Sequence, residues 1–386
     1  MENTKITGIH YASRKPVRLE LDRGRIAAVE ELGPVPLAGD GKSEQLPVVA
    51  PGLVELQING YKGIDLNAPG LSVEQVLQFS RNLLATGVCS YYPTLITGDP
   101  DKISASVAAI ARARQEDAVS AAMIKGIHLE GPFICGEDGP RGAHPKAWVR
   151  KPDPSLVDHW QEEAKGDIQI LTLAPELPGS IDLIRKCVDM GITVSIGHTS
   201  ADTDSIRAAV EAGARLSTHL GNGCHGMLPR HPNYIWDQLA ETELYASMIG
   251  DGYHLPVSVL KVFYQVKQQK AILISDAMTY AGMEPGAYES PAIGKVVLTP
   301  EGKLHMAGRP KTLAGSASSL IMGVRHMSRI IGFTKAWDMG SLNPSRLTMG
   351  EKPMGLQAGA AADLVLLEPE KSPSKIREVV LEGKRV

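Results

Sequence analysis

Eight short apolar runs, the helical stretches between them, and strand-rich segments at both ends of the chain predict one architecture. It is a (β/α)8 barrel of the TIM type carrying a small β-sandwich domain built from both termini. The runs are VVAPGLVELQI (48–58), VCSYYPTLI (88–96), MIKGIHLE (123–130), IQILTLAPE (168–176), ITVSIGH (192–198), RLSTHL (215–220), YASMIGD (245–251) and AILISDA (271–277). Each is mostly apolar without clean alternation, as expected of strands buried on both faces of a parallel sheet. Between them, LSVEQVLQFSRNLLATG (71–87) opens on Ser72 as a cap with a Glu at a capping-box-like offset, and closes at Gly87. SIDLIRKCVDMG (180–191) and ADTDSIRAAVEAG (201–213) repeat that pattern and also end in glycine. An open doubly wound sheet would need a glycine-rich turn after its first strand, and none is present.

Outside the barrel, residues 1–47 contain ITGIHYA and VRLELDRGRIAAVEEL, and the chain closes on AADLVLLEPEKSPSKIREVVLEGKRV, whose last strands meet at a Glu-Gly turn. The two ends can pair into one unit. The expected division is 1–50 plus 345–386 for the β domain and 51–344 for the barrel.

Composition excludes several classes. Hydrophobic residues at 43% and charged residues at 22% rule out a disordered or collagen-like chain. Forty basic residues against 43 acidic ones leave a net charge of −3, so electrostatics give no reason to expect a nucleic-acid or membrane-surface partner. No stretch approaches the ~20 apolar residues of a membrane span. Near the start, Glu2, Lys5, Arg14 and Lys15 interrupt any apolar run, so no secretory leader is expected. Cys89, Cys135, Cys187 and Cys224 form no CxxC pair and read as reduced thiols, which fits a cytoplasmic protein.

Barrel strands point their C-terminal ends at the active-site mouth. Those ends carry Gln57 and Asn59, His128 and Glu130, then Glu176, His198, His219, Asp251 and Asp276. Any one histidine after a strand is ordinarily a hydrogen-bonded loop residue, but imidazole and carboxylate groups closing one strand after another are hard to reconcile with packing alone. Glu130, His198 and His219 supply one carboxylate and two imidazoles, a set that leaves a divalent ion an open position for water. Asp276, in ISDAM, is placed to move a proton; the lesser reading from the local sequence alone is a helix cap.

HLEGPF (128–133), GHTSA (197–201), THLGNG (218–223) and SDAMTYAG (275–282) resemble the amidohydrolase superfamily, and closely the N-acetylglucosamine-6-phosphate deacetylases. PGLVELQING (51–60), AGSASSLIMGV (314–324) and AGAAADLVLLEP (358–369) extend the similarity over nearly the whole chain. The resemblance implies hydrolysis of the acetamide of N-acetylglucosamine-6-phosphate to glucosamine-6-phosphate and acetate. Many amidohydrolases carry His-x-His on the first strand and bind two metals. Here those positions hold Gln57 and Asn59, poor ligands for a zinc-like ion, so one ion per subunit is expected on Glu130, His198 and His219, with Zn2+ ahead of Fe2+ or Mn2+. By the same resemblance His144 contacts the acetamido group, and Asn222 and Gly223 face the phosphate. Arg230 and His254 form a cationic pair on that phosphate, in some members from the neighbouring subunit of a homodimer.

One loop departs from the family pattern: GNGCHGMLPRHPN (221–233) replaces the usual Asn-Ala-Met. Gly221 to Gly226 satisfies GxGxxG, yet Pro229 and Pro232 follow at once, and a dinucleotide site needs a helix there. The loop leaves open another N-acyl sugar, a cyclic amide, or a non-catalytic barrel that only binds a sugar phosphate.

Overall fold

The computed structural model describes residues 4–33, 46–290, 294–350, 352–369 and 375–386. Eight parallel strands follow one another in sequence order around a barrel: Leu53–Ile58, Val88–Ile96, Ile127–Glu130, Ile168–Leu173, Thr193–Ile196, Leu216–Ser217, Tyr245–Ile249 and Ala271–Ile274. They are called here the first to eighth strands. Every predicted run contributes one strand to the barrel, and the (β/α)8 expectation holds. Side chains alternate across each strand, so one set meets inside. Val54, Leu56, Tyr92, Ile170, Leu216, Ile249, Ile272 and Ile274 form that inner core. The outward set packs against the surrounding helices in a second, larger cluster.

The seam between the eighth and first strands is irregular. It is closed by the Ile58–Ala277 bridge, by Asp276 N–H donating to Gln57 O (3.0 Å) and by Asn59 N–H donating to Ala277 O (2.9 Å). A side chain supplements these bonds: the fully buried Glu55 carboxyl accepts from the Ser275 amide (3.1 and 3.2 Å) and from the Gln57 amide (3.2 Å).

The run 48–58 is two strands rather than one. Val48–Pro51 pairs antiparallel with Leu364–Leu367 in the β domain, and only Leu53–Ile58 enters the barrel. The break falls at Gly52, where a Cβ would lie 2.6 Å from the Cys89 side chain and where the amide donates to Asp363 O (2.8 Å). A glycine lets the chain turn from one layer into the next at that close approach. Helix Val73–Leu84 starts at Ser72 as predicted, but its capping box is completed by Gln75, at the third helical position, and not by a Glu.

Both ends of the chain share a seven-stranded sheet ordered 384–385, 376–381, 364–367, 48–51, 4–10, 16–22, 25–31. It folds back on itself: Ile26 N–H donates to Ala360 O (2.9 Å) and Ala362 N–H to Gly24 O (2.8 Å). The sandwich closes over Ile6, Leu19, Ile26, Val49, Leu364 and Val380. A four-stranded antiparallel sheet, Gly286–Ser290, Gly294–Leu298, Leu304–Met306 and Arg309–Leu313, follows the eighth strand. The sequence reading did not anticipate it, since its exposed strands carry little of the apolar signal. Among the described residues no helix is long and apolar enough to cross a membrane.

Candidate functional site

Three of the predicted residues sit at the same offset. His198, His219 and Asp276 each lie two residues beyond the last residue of the fifth, sixth and eighth strands. All three adopt the left-handed region, with φ of 51°, 29° and 46°. For a side chain with a Cβ this costs on the order of 1 kcal/mol or more per residue. Such strain persists where the surroundings hold it: the His219 amide donates to Ser247 Oγ (2.8 Å), while Glu176 accepts from Thr199 Oγ1 (2.5 Å) and the Ser200 amide (2.7 Å) in the turn after His198. Glu176 is therefore a brace for that turn.

Glu130, the last residue of the third strand, meets both histidines. Its Oε1 lies 3.0 Å from His198 Nε2 and 2.9 Å from His219 Nε2, and the two Nε2 atoms are 3.0 Å apart. All three residues are buried. His198 Nδ1 is 2.8 Å from Pro140 O, which accepts and cannot donate, so Nδ1 carries a proton and Nε2 is the ring nitrogen left to face Glu130 or a cation. In the tautomers that leave both Nε2 atoms bare, three acceptors converge at about 3 Å and repel one another unless a cation lies among them. Donors on a tetrahedral zinc-like ion at about 2.0 Å are separated by about 3.3 Å, so this donor set fits such an ion. Burial alone would raise the Glu130 carboxyl; where the two imidazoles keep a proton on Nε2 and donate it to Glu130, they outweigh burial and hold the carboxyl well below its usual range.

His144 lies beside this cluster, its ring centroid 4.2 Å from that of His198. Glu130, His144 and His198 also bring donor atoms within 4.8 Å of one another. The set completed by His219 is the tighter one, and His144 Nδ1 is engaged with Thr97 Oγ1 at 2.7 Å. Burial pushes the His144 ring down to about 3, so it is neutral.

The first strand closes the site from the other side. Gln57 Nε2 donates to Glu130 Oε1 (2.9 Å) and Asp276 Oδ1 (3.3 Å), and Asn59 Nδ2 donates to Asp276 Oδ1 (2.8 Å). Burial, then the nearby Glu130 charge, pushes Asp276 up to about 6. His128 lies below, bonded to Leu56 O (2.9 Å) and Thr172 Oγ1 (2.8 Å) inside the barrel, and takes no place at the surface of the site.

A cavity of about 590 Å3 opens above, lined by Glu130, His144, His198, His219, Asp276, Asn222, Gly223 and His254. Gly223 is pressed onto the cluster: a Cβ there would lie 2.7 Å from His198 Nδ1 and 3.3 Å from His219 Cε1. Asp251 accepts from the His254 amide (2.9 Å) and lies 2.6 Å from its Nδ1, orienting the ring. Arg230 is exposed and does not line this cavity. The loop 221–233 holds no helix; the next one, Tyr234–Ala240, begins only after Pro232, so the GxGxxG segment opens no helix. His225 instead ties the loop down, with Nε2 3.1 Å from Glu137 Oε2 and Nδ1 3.0 Å from Tyr234 Oη.

Two residues near the chemistry escaped the sequence reading. Thr97, just past the second strand, partners His144, and Glu55 supports Asp276 through its neighbour Ser275. Position alone could have found Thr97, which stands at a strand end like the others. Glu55 carried no such signal, because its partner Ser275 lies just past the eighth strand, 220 residues further along the chain.

A model of the amidohydrolase family matches residues 48–386. The N-acetylglucosamine-6-phosphate deacetylase of Bacillus subtilis (strain 168) is 32% identical over 357 residues, covering 91% of this chain and 88% of its own. The N-acetylgalactosamine-6-phosphate deacetylase of Escherichia coli O157:H7 is 28% identical over 376 residues, covering 95% and 93%. Among solved structures, a variant of the Mycobacterium smegmatis N-acetyl-D-glucosamine-6-phosphate deacetylase in complex with N-acetyl-D-glucosamine-6-phosphate superimposes with a TM-score of 0.86 at 27% identity, over 100% of this chain and 99% of that one. The match to the family model covers the barrel and the C-terminal strands of the β domain, and the chain belongs to the amidohydrolase family.

Proposed function

We propose that the protein hydrolyses the acetamide of N-acetylglucosamine-6-phosphate, releasing acetate and glucosamine-6-phosphate. The observation that carries this reading is the convergence of Glu130, His198 and His219 at about 3 Å beside a proton-accepting Asp276. The names of the full-length relatives supply the substrate.

In this reading Glu130, His198 and His219 hold one divalent ion, Zn2+ ahead of Fe2+ or Mn2+. Such an ion supplies Lewis acidity and lowers the pKa of water towards about 7. Asp276, held by Asn59 and Gln57, takes the proton of the attacking water and returns it to the departing amine. A carboxyl near 6 is a carboxylate at neutral pH yet basic enough to accept. His144 polarises the carbonyl when the Thr97 hydroxyl donates to Nδ1, which leaves an N–H on Nε2. The phosphate lies towards Asn222, Gly223 and His254. Arg230 reaches it from a second copy in a homodimer, in keeping with its exposed place here. A cytoplasmic location suits a phosphorylated sugar substrate.

Acetate release from N-acetylglucosamine-6-phosphate by wild type and D276N tests the reading. Loss of a general base costs roughly 10²–10⁴-fold, and wild-type kcat/KM falls towards acid pH as Asp276, whose carboxyl burial raises, becomes protonated. Equal rates for the two proteins refute the assignment of Asp276.

A further inference from the structure

The cavity reaches well past the three converging donors, on the side away from Asn222, Gly223 and His254. Pro69, Leu95, Ile96, Ile103, Pro145 and Trp148 line that side. Topology fixes the opposition. Leu95 and Ile96 end the second strand and Asn222 and Gly223 follow the sixth, so in an eight-stranded barrel ordered by sequence the two groups stand across the axis from each other. The donor cluster lies between them.

Polar groups on the apolar side are consumed by the protein itself. Asn67 donates from Nδ2 to Thr94 O (3.0 Å) and accepts the Ile96 amide on Oδ1 (2.8 Å). Asp99 caps helix Pro100–Glu116 by accepting from the Asp101 amide (3.0 Å), and Asp65 accepts the Asn67 amide (2.9 Å). What remains facing the space is mostly hydrocarbon and the Trp148 ring, with the Ser106 and Thr97 hydroxyls in the wall and the exposed Lys102 bordering it.

With the sugar phosphate on the Asn222 and His254 side and the amide at the donor cluster, the acyl end of the substrate lies on the opposite side, where this lobe opens. We propose that this lobe is an acyl-chain pocket and that the enzyme deacylates amino-sugar phosphates carrying straight-chain N-acyl groups longer than acetyl, such as N-propionyl and N-butyryl. The inference rests on the deacetylase reading above. The bond broken is the same amide: water supplies the hydroxyl of the released fatty acid and, through Asp276, the proton of the amine. A pocket closed around a methyl group would clash with each added carbon, whereas an open apolar lobe gains about fourfold in binding per buried methylene.

The test compares kcat/KM of the metal-loaded protein for N-acetyl-, N-propionyl- and N-butyryl-glucosamine-6-phosphate, with S106L as a variant that fills the lobe. Ser106 is buried on the helix that forms the wall. The expected result is a wild-type butyryl-to-acetyl ratio above about 1, since two methylenes are buried, lowered at least tenfold in S106L. W148A, which enlarges the lobe without adding bulk to the core, serves if S106L does not fold, and raises that ratio. A wild-type ratio below this limit, with acetyl still hydrolysed, overturns the acyl pocket alone; no hydrolysis of any of the three overturns the deacetylase reading itself.

Discussion

Glu55 offers a quantitative check on the barrel seam. Burial raises its carboxyl to about 8, against an ordinary value of 4.5, even though Ser275 and the Gln57 amide lower it in part. A carboxyl whose folded pKa lies above its unfolded one binds more protons in the native state between those two values. Stability therefore falls as pH rises through that window, by up to about 1.4 kcal/mol per pH unit. Integrated from pH 5 to pH 8, the loss attributable to this residue is roughly 3–4 kcal/mol. E55Q keeps an oxygen to accept both amides and removes the ionisation. Urea unfolding of chelator-treated wild type and E55Q at pH 5, 6, 7 and 8 reads the difference directly. Wild type is expected to lose those kcal/mol relative to E55Q as pH rises, with the slope concentrated below pH 8. Parallel curves for the two proteins would refute a buried, neutral Glu55 at the seam.

Two further perturbations probe the donor cluster. G223A places a Cβ 2.7 Å from His198 Nδ1 at a φ of 54°, displacing the ring from Pro140 O, so metal affinity by calorimetry is expected to drop about 10–100-fold; unchanged affinity argues against His198 as a ligand. Removing the ion with a chelator is expected to lower Tm by several degrees, since a ligand at 1,000 times its Kd stabilises by about 4 kcal/mol. Adding back one equivalent of Zn2+ should restore it, and a stoichiometry of two ions per chain contradicts the single-site assignment.

The barrel was legible in the sequence because parallel strands buried on both faces must be apolar throughout, and eight such runs leave little choice of architecture. The strand-end polar residues were legible for the same reason: Glu130, His198, His219 and Asp276 interrupt runs that packing would have kept apolar. Other features depend on contacts between residues far apart in the chain. Gly52 divides the run 48–58 only because Cys89 leaves no room for a side chain, and the 286–313 sheet is held by edge pairing of weakly apolar strands. Arg230 has a motif position in the sequence but lies outside the cavity of the single chain. Composition and periodicity thus determined which residues close which strands. Tertiary structure decided that two strained turns, at His198 and His219, and a ring oriented by Pro140 bring Glu130, His198 and His219 within about 3 Å of one another, because only the closed barrel sets the distance between strands three, five and six.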